Sequence, residues 1–499
     1  MQNESILAIC RKFNQKKIKY EFLEENEGIS ENTNHAIEMS DGEWIVFVDH
    51  DDVLSEFAFF EVVKAINTYP EAEFIYSDED KLDESGVRFD PYFKPDFSPE
   101  TLECNNYITH LVAVKRSLLD KVGRLDKRFD GAQDFDFVLR ATENTKNIVH
   151  IPKILYHWRA HRNSTANLVE SKTYAYEAGR KVVEEHLKRV NKPGIVEYPG
   201  EVPGIYKLKF EIEGDPKVSI LIPNKNHCQA LKKCLKSILK ITSYKNYEVL
   251  ILENNSDDPK TFQYYEKIEK EEKVKVLRFP EEGFNYSKII NFGVRNSEGD
   301  YIVQLNNDTQ ILTSDWLEQM IGYAQNKEIG AVGARLYYPD KSIQHAGIAY
   351  GIGGTAANLM VGLPFGTHGY FAREAAPRNV SAVTGACLFT RREIYDIVGF
   401  MEENLLEVAF NDVDFCLKIL EKGYRVVYNP YVEIIHDESK SRGYEDTIDK
   451  KERFEKEKEN FQKKWRIRLL KPDPYYNENF SREDCHFMIK TKESLQEND

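Results

Sequence analysis

Paired cysteines are the first thing this chain lacks. Its seven Cys, at 10, 104, 228, 234, 387, 416 and 485, are odd in number and nowhere spaced as CxxC. That supports neither a zinc ribbon nor a disulfide framework and fits reduced thiols in a cytosolic protein. Long hydrophobic runs are missing too. No stretch approaches the ~18–20 apolar residues of a membrane span, and the opening MQNESILAICRKFNQKK is too polar for a signal-peptide core. Together these absences predict a cytoplasmic protein, with a peripheral position on the inner face of the cell membrane left open. Positive charge is also in short supply. Against 83 Asp+Glu stand 68 Lys+Arg, a net −15, which argues against nucleic acid as the main partner. What is abundant excludes disorder: 41% of residues are hydrophobic and 12% aromatic. At ~100–200 residues per domain, the 499 residues make two or three domains.

The sequence repeats itself. Gly28 to Asp52 and Gly283 to Thr309 read alike at an offset of 257, pairing Asn34 with Asn291, Gly42 with Gly299, Asp49 with Asn306 and Asp51 with Asp308. A second echo sets Gln133-Asp134-Phe135-Asp136 against Asn411-Asp412-Val413-Asp414, and a third sets His157 against His436. Three echoes in one order predict two copies of one domain. In the second copy, strands 217–223, 247–252 and 273–279 alternate with helices such as 229–241. That pattern implies βαβ units and a mainly parallel sheet. The first copy starts only at the equivalent of the third strand, Ile18 to Leu23, and is expected to be a remnant, a scaffold or the product of a misplaced start codon. The resulting layout is 1–190 for a partial first domain, 191–215 for a Pro/Gly-bearing linker with a short strand at 205–212, 216–445 for a complete domain, and 446–499 for a charged helical tail. Lys463, Lys464, Arg466 and Arg468 of that tail serve either a solvated helix face or a membrane surface.

The chemistry-bearing residues sit at strand ends, where parallel sheets bind ligands. Asn306-Asn307-Asp308 follows the strand 301–305; it is either a capped turn or a site where one carboxylate holds a divalent cation together with phosphate oxygens. At the same place the first copy has Asp49-His50-Asp51-Asp52, whose like charges repel unless a cation or solvent compensates them. Asp412 begins a helix, as a cap and dipole partner or as a general base. His436 is structural, or it is a third point beside Asp308 and Asp412 that ligates metal or touches phosphate. Lys440 and Arg442 nearby suit a diphosphate leaving group. Gly351-Ile352-Gly353-Gly354 lacks the spacing and context of a dinucleotide fingerprint and reads instead as a flexible loop on the acceptor side.

With these residues in view, the second copy resembles a complete family 2 glycosyltransferase domain of GT-A fold. The resemblance runs over residues 216–445 and is carried by Pro223-Asn-Lys-Asn226, Glu253-Asn-Asn-Ser256, the DxD-like Asn306-Asn-Asp308, Asn411-Asp412 and the stretch 383–403. The first copy resembles the same family from its middle onward, through Tyr76 to Lys81, Phe93-Lys-Pro-Asp96, Asn106 to His110, Gln133 to Asp136 and His157-Trp158-Arg159. The resemblance implies two tandem α/β domains in which a nucleotide-sugar donor, guessed as UDP- or dTDP-activated, meets a glycan or lipid-linked glycan acceptor in bacterial cell-surface polysaccharide assembly. It gives Pro223, Asn226, Glu253, Asn255 and Asn291 to the donor pocket, with Asn306 at the ribose or a metal-bound water. Asp308 and His436 would hold Mn²⁺ or Mg²⁺, and Asp412 would be the base of an inverting transfer. In the first copy Asp49 would touch donor, Asp51 and His157 metal, and Asp134 would be the base. Glu253 and Asn306 depart from the Asp common at those positions, which weakens the expected metal affinity. The competing expectation is a non-catalytic glycan-binding or assembly subunit built from degraded domains; a nucleotidyltransferase would need a better phosphate-cradling loop than PNKNHCQALKK.

Overall fold

The computed structural model describes residues 4–13, 17–160, 169–200, 202–437 and 447–491. It divides into two compact units, one of residues 1–92 with 106–191, the other of 93–105 with 192–499. Residues 93–105, which the sequence reading left in the first copy, therefore belong to the second unit.

The first unit contains helix α1 (Ile29–Met39), strands β1 (Trp44–Phe47) and β2 (Val53–Leu54), helix α2 (Ala58–Thr68), strands β3 (Phe74–Leu82), β4 (Arg88–Tyr92) and β5 (Val112–Lys115), helix α3 (Gln133–Asn144) and strand β6 (Ile148–Arg159). The sheet runs β1-β5-β3-β6-β2, with β4 on β3, and only β3 and β6 pair in parallel. Ala58, Val62 and Ala65 of α2 pack on Ile75, Ala113 and Leu155 of the sheet. Ile18 to Leu23 does not form the expected strand. Its counterpart in the second unit pairs with one neighbouring strand alone, and among the described residues the first unit has no such neighbour to offer a ladder.

The second unit supplies what the first lacks. Its main strands are β7 (Val218–Asn224), β8 (Tyr247–Glu253), β9 (Val274–Arg278), β10 (Tyr301–Leu305), β11 (Thr309–Ile311), β12 (Ile329–Tyr337), β13 (Cys387–Arg391) and β14 (Arg425–His436). They lie in the order β9-β8-β7-β10-β13-β12-β14-β11, and the first four are parallel. β7 and β8 are apolar almost without interruption because both faces are covered. On one face Ile220, Ile222, Val249 and Ile251 meet Leu231 and Leu235 of helix α4 (Cys228–Ile241). On the other lies helix α5 (Tyr286–Arg295), where a Cβ on Gly293 would fall 2.6 Å from Leu252 Cδ1; only glycine lets the helix approach so closely. Helix α6 (Trp316–Ala324) buries Trp316, Leu317, Met320 and Ile321 in the same core as Leu231. Helices α7 (Asn411–Glu421) and α8 (Ile448–Lys464) complete the part that matters for function. The short linker strand is observed at Lys207–Phe210.

Residues 93–105 are held to the second unit by polar contacts that few surface segments possess. Glu100, 1% exposed, takes Arg425 on both oxygens at 2.7 and 2.9 Å. Asn379 Nδ2 donates to Glu100 at 2.7 Å, and Ser98 Oγ donates to Asn379 Oδ1 at 2.7 Å. A bidentate, buried ion pair of this kind is strongly missed when one partner is removed.

Candidate functional site

The carboxyl ends of β7, β8, β10 and β14 open onto a cavity of about 570 Å³, within the range of small-ligand pockets. Pro223, Asn224 and Asn254 line it from β7 and the end of β8; Asn306, Asn307 and Asp308 from the end of β10; and His436 from the end of β14. Asn411 and Asp412 open α7 on another side, and Lys450, Arg453 and Phe454 of α8 form a further wall.

His436 is held in a definite orientation. Gln344 Nε2 donates to the His436 carbonyl at 3.4 Å, which turns Gln344 Oε1 toward the ring, where it accepts from Nδ1 at 2.7 Å. Nε2 then faces the Asn306 side-chain amide at 3.1 Å and Asp308 Oδ1 at 3.2 Å. Nε2 and Asp308 Oδ1 thus stand side by side as two electron-pair donors beside the Asn306 amide. One imidazole nitrogen and one carboxylate oxygen, with the ring fixed by a second hydrogen bond, form a donor set that fits a divalent cation whose other positions are filled by phosphate and water. Among the described residues no group of three or more His, Cys, Asp or Glu is gathered to hold a metal unaided.

Asp412 stands in the first turn of α7. Gly385 N–H donates to its Oδ2 at 2.9 Å and Val413 N–H to its Oδ1 at 2.8 Å. Burial pushes its carboxyl above the ordinary aspartate range, against the pull of those N–H groups. A carboxylate so shifted is a better proton acceptor than a free one. Two residues on, Asp414 is fully buried and accepts from Trp465 Nε1 at 2.8 Å and Lys464 Nζ at 2.7 Å. Lys464 thus reaches Asp414 with its ammonium, and Arg468 is half-buried over the Trp465 and Tyr350 rings, while Lys463 and Arg466 are exposed.

Several expected donor-pocket residues have other tasks. Glu253 is buried and accepts from Ser256 N–H, Ser256 Oγ and Tyr265 OH at 2.5–2.7 Å. Asn226 accepts the N–H groups of Asp257 and Asp258 and donates to Asp257. Asn255 donates to Asn254 and to the Glu281 carbonyl. All three fix the loop after β8, and none lines the cavity; the residue facing it is Asn254. Asn291 is also a clamp, exchanging hydrogen bonds with the Met401 backbone at 3.0 and 3.1 Å and donating to Glu403. Gly351 to Gly354 bonds to Arg482 and Gln462 and does not line the cavity. Lys440 and Arg442 lie outside the described residues.

The first unit assembles a different site. Val53 pairs with His157, whereas in the second unit Gln310, at the matching offset of 257, pairs with Ile435. Asp80 and Tyr337 give the same alignment. His157 therefore stands where Ile435 stands, and Trp158 occupies the position of His436. A slip of one residue moves a side chain to the other face of a strand, and His157 correspondingly meets Asp80 at 2.5 Å rather than Asp51. This corrects the pairing of His157 with His436. The signal was in the sequence: Pro152 and Pro430 lie 278 apart, as do Asp134 and Asp412. Asp134 is exposed and accepts Asn106 Nδ2 at 3.0 Å. Asp49 stands half-exposed, 3.7 Å from His110; partial burial and then the carboxylates of Asp52, Asp51 and Asp134 raise it against the pull of His110. Asp51 lies 3.8 Å from His50, itself almost fully exposed, while Asp52 accepts from Tyr156 OH and Arg159 N–H.

The chain is similar in sequence to known proteins. The sequence model of Glycosyl transferase family 2 matches residues 2–123 and again 219–397. The uncharacterized protein y4gI of Sinorhizobium fredii is 41% identical over 478 residues, 95% of this chain and 52% of that protein. The O-antigen biosynthesis protein RfbC of Myxococcus xanthus is 36% identical over 411 residues, 82% of this chain and 32% of that protein. The chain thus spans about half and about a third of these relatives. A solved mannosyltransferase from Pyrobaculum calidifontis in complex with GDP-Man and Mn²⁺ is 17% identical, with a TM-score of 0.38 over 62% of this chain and 77% of that one. Among the described residues no helix is long and apolar enough to cross a membrane.

Proposed function

The chain belongs to glycosyl transferase family 2, and from that premise we propose that its second unit moves a sugar from a nucleotide-sugar donor to a glycan or lipid-linked glycan acceptor, in the assembly of a surface polysaccharide, with inversion at the anomeric carbon. The observation that carries the reading is that Asp308, His436 and Asp412 open onto one cavity. The O-antigen name borne by the Myxococcus xanthus relative supports the choice of pathway.

In this reading Asp412 accepts the proton of the acceptor hydroxyl. The hydroxyl oxygen bonds to the anomeric carbon while the bond from that carbon to the diphosphate breaks. Gly385 N–H and Val413 N–H keep the Asp412 carboxylate in place before the proton arrives. Asp308 and His436 would hold Mn²⁺ or Mg²⁺, which supplies Lewis-acid stabilisation of the departing diphosphate. Gln344 fixes the His436 ring, and Pro223, Asn224 and Asn254 receive the nucleoside. The first unit, with Trp158 in place of the histidine and an exposed Asp134, does not perform the transfer.

The test is release of nucleoside diphosphate from a panel of UDP-, dTDP- and GDP-sugars with Mn²⁺ or Mg²⁺, with Asp308→Ala as the control. Release lost in the variant is expected. Absence of both release and sugar-nucleotide binding by calorimetry overturns the reading in favour of a non-catalytic glycan-binding subunit.

A further inference from the structure

Helix α8, read from the sequence as a charged surface tail, grips the segment that leads into Asp412. Its Glu457 is 3% exposed. Glu457 Oε2 accepts two successive main-chain N–H groups, from Val408 at 3.2 Å and Ala409 at 2.5 Å. Its Oε1 stands 3.7 Å from Nε of Arg453, one turn earlier on the same helix and part of the cavity wall.

The next residue, Phe410, is in the left-handed region with φ 59° and directly precedes α7. A non-glycine residue holds that conformation only where its surroundings over-determine it. Here the surroundings come largely from α8: Phe461 stacks on Phe410 at 5.1 Å and Phe454 lies at 5.6 Å. Asn460 Nδ2 donates to the Leu405 carbonyl at 3.0 Å. From α5, Ser287 donates its hydroxyl to the Leu406 carbonyl at 2.7 Å and its N–H to the Glu407 carbonyl at 3.2 Å. Beyond Asp412, Lys464 and Trp465 hold Asp414. The start of α7 is therefore fastened on both sides of Asp412, and on the near side one carboxylate, Glu457, holds the two N–H groups that adjoin the Phe410 hinge.

We propose that Glu457 is a positioning residue for Asp412: by holding the Val408 and Ala409 N–H groups it fixes the Phe410 hinge, and through it the direction in which the Asp412 carboxylate faces the cavity. The inference rests on the reading of Asp412 as the base. Glu457→Gln removes the charge at nearly constant volume and weakens both N–H contacts. Small displacements of a reacting group cost up to ~10²-fold in rate, so the variant is expected to release nucleoside diphosphate from the UDP-, dTDP- and GDP-sugar panel about 10- to 100-fold more slowly at saturating donor. Its donor KM is expected within about twofold of wild type, the split expected when only the chemical step suffers.

Two readouts separate positioning from mere structure. In an Asp412→Asn background Glu457→Gln is expected to have almost no further effect, because the group it orients is gone. Hydrogen exchange, which requires no substrate, is expected to speed up in 405–416 while the core strands of the second unit keep their protection. Wild-type turnover in Glu457→Gln, an equal loss in the Asp412→Asn background, or unchanged exchange in 405–416 would each overturn the proposal. If Asp412→Asn itself keeps wild-type turnover, the base reading falls and this inference with it. If Asp412→Asn is slow while Glu457→Gln is normal, only the positioning role falls.

Discussion

The two units agree where they hold themselves together and part where they would hold a ligand. Asn34 exchanges hydrogen bonds with the Leu125 backbone at 2.9 and 3.0 Å, as Asn291 does with Met401. Asp136 and Asp414 are both buried in the first turns of corresponding helices, and both face cations, Arg140 and Lys464. At the cavity the likeness ends. The second unit has three parallel strands beyond β10; β1, the corresponding strand, is an edge. Asp412 lines a cavity with His436, whereas Asp134 is exposed and Trp158 takes the histidine's place. A clamp depends on its own backbone neighbours and survives such losses. A binding site needs several strand ends at once and does not.

The largest expected contrast is between the two aspartates. Asp412→Asn should slow turnover by about 10²–10⁴-fold, the usual worth of a general base, while Asp134→Asn leaves it within about twofold; equal losses would erase the distinction drawn here. Asp308→Ala should abolish Mn²⁺-dependent binding of nucleoside diphosphate, read by calorimetry, and Asp51→Ala should not alter it. Glu100→Ala should destabilise the second unit by about 3–5 kcal/mol, leaving Arg425 without its buried partner; denaturant melts that shift only the first unit would contradict its assignment. Asn291→Ala and Asn34→Ala should each cost their own unit about 1–3 kcal/mol, so a large difference between them would show that the clamps are not equivalent. The smallest effect concerns pH. Since burial raises the Asp412 carboxyl, and the base must be ionised, kcat should fall on acidification at a pH above the ~3.9 of an ordinary aspartate.

Much of this was readable in the sequence because it was written in offsets. The spacing of 257 aligned β1 with β10 and Asp51 with Asp308, strand ends drew attention to Asp308 and His436 and a helix start to Asp412, and these last three share the cavity. What stayed hidden depended on partners. Ile18 to Leu23 has the composition of a strand, but a strand needs a ladder. His157 and Trp158 differ by one position, and only pairing tells which face each takes. Glu253, Asn226 and Asn255 have the polarity of binding residues, yet their groups are engaged by their own loop. Gln344 carries no motif at all; it matters because of where β14 places His436. The α8 wall was concealed by its charge, which makes a packed helix read like a solvated one.

The short helix at Pro99–Leu102 has a consequence for how the protein is made. Glu100 and Arg425 are separated by 325 residues. At ~5–20 residues per second of synthesis, the segment leaves the ribosome roughly 15–65 s before its partner exists. For that interval Glu100 lacks its cation and Phe93, buried in the finished protein, still lacks the Phe480 ring it packs on, so the nascent chain carries a sticky, half-made seam. Slow translation through the second half, or a scarcity of chaperones, should therefore lower the yield of folded protein more than the modest length of the chain would suggest.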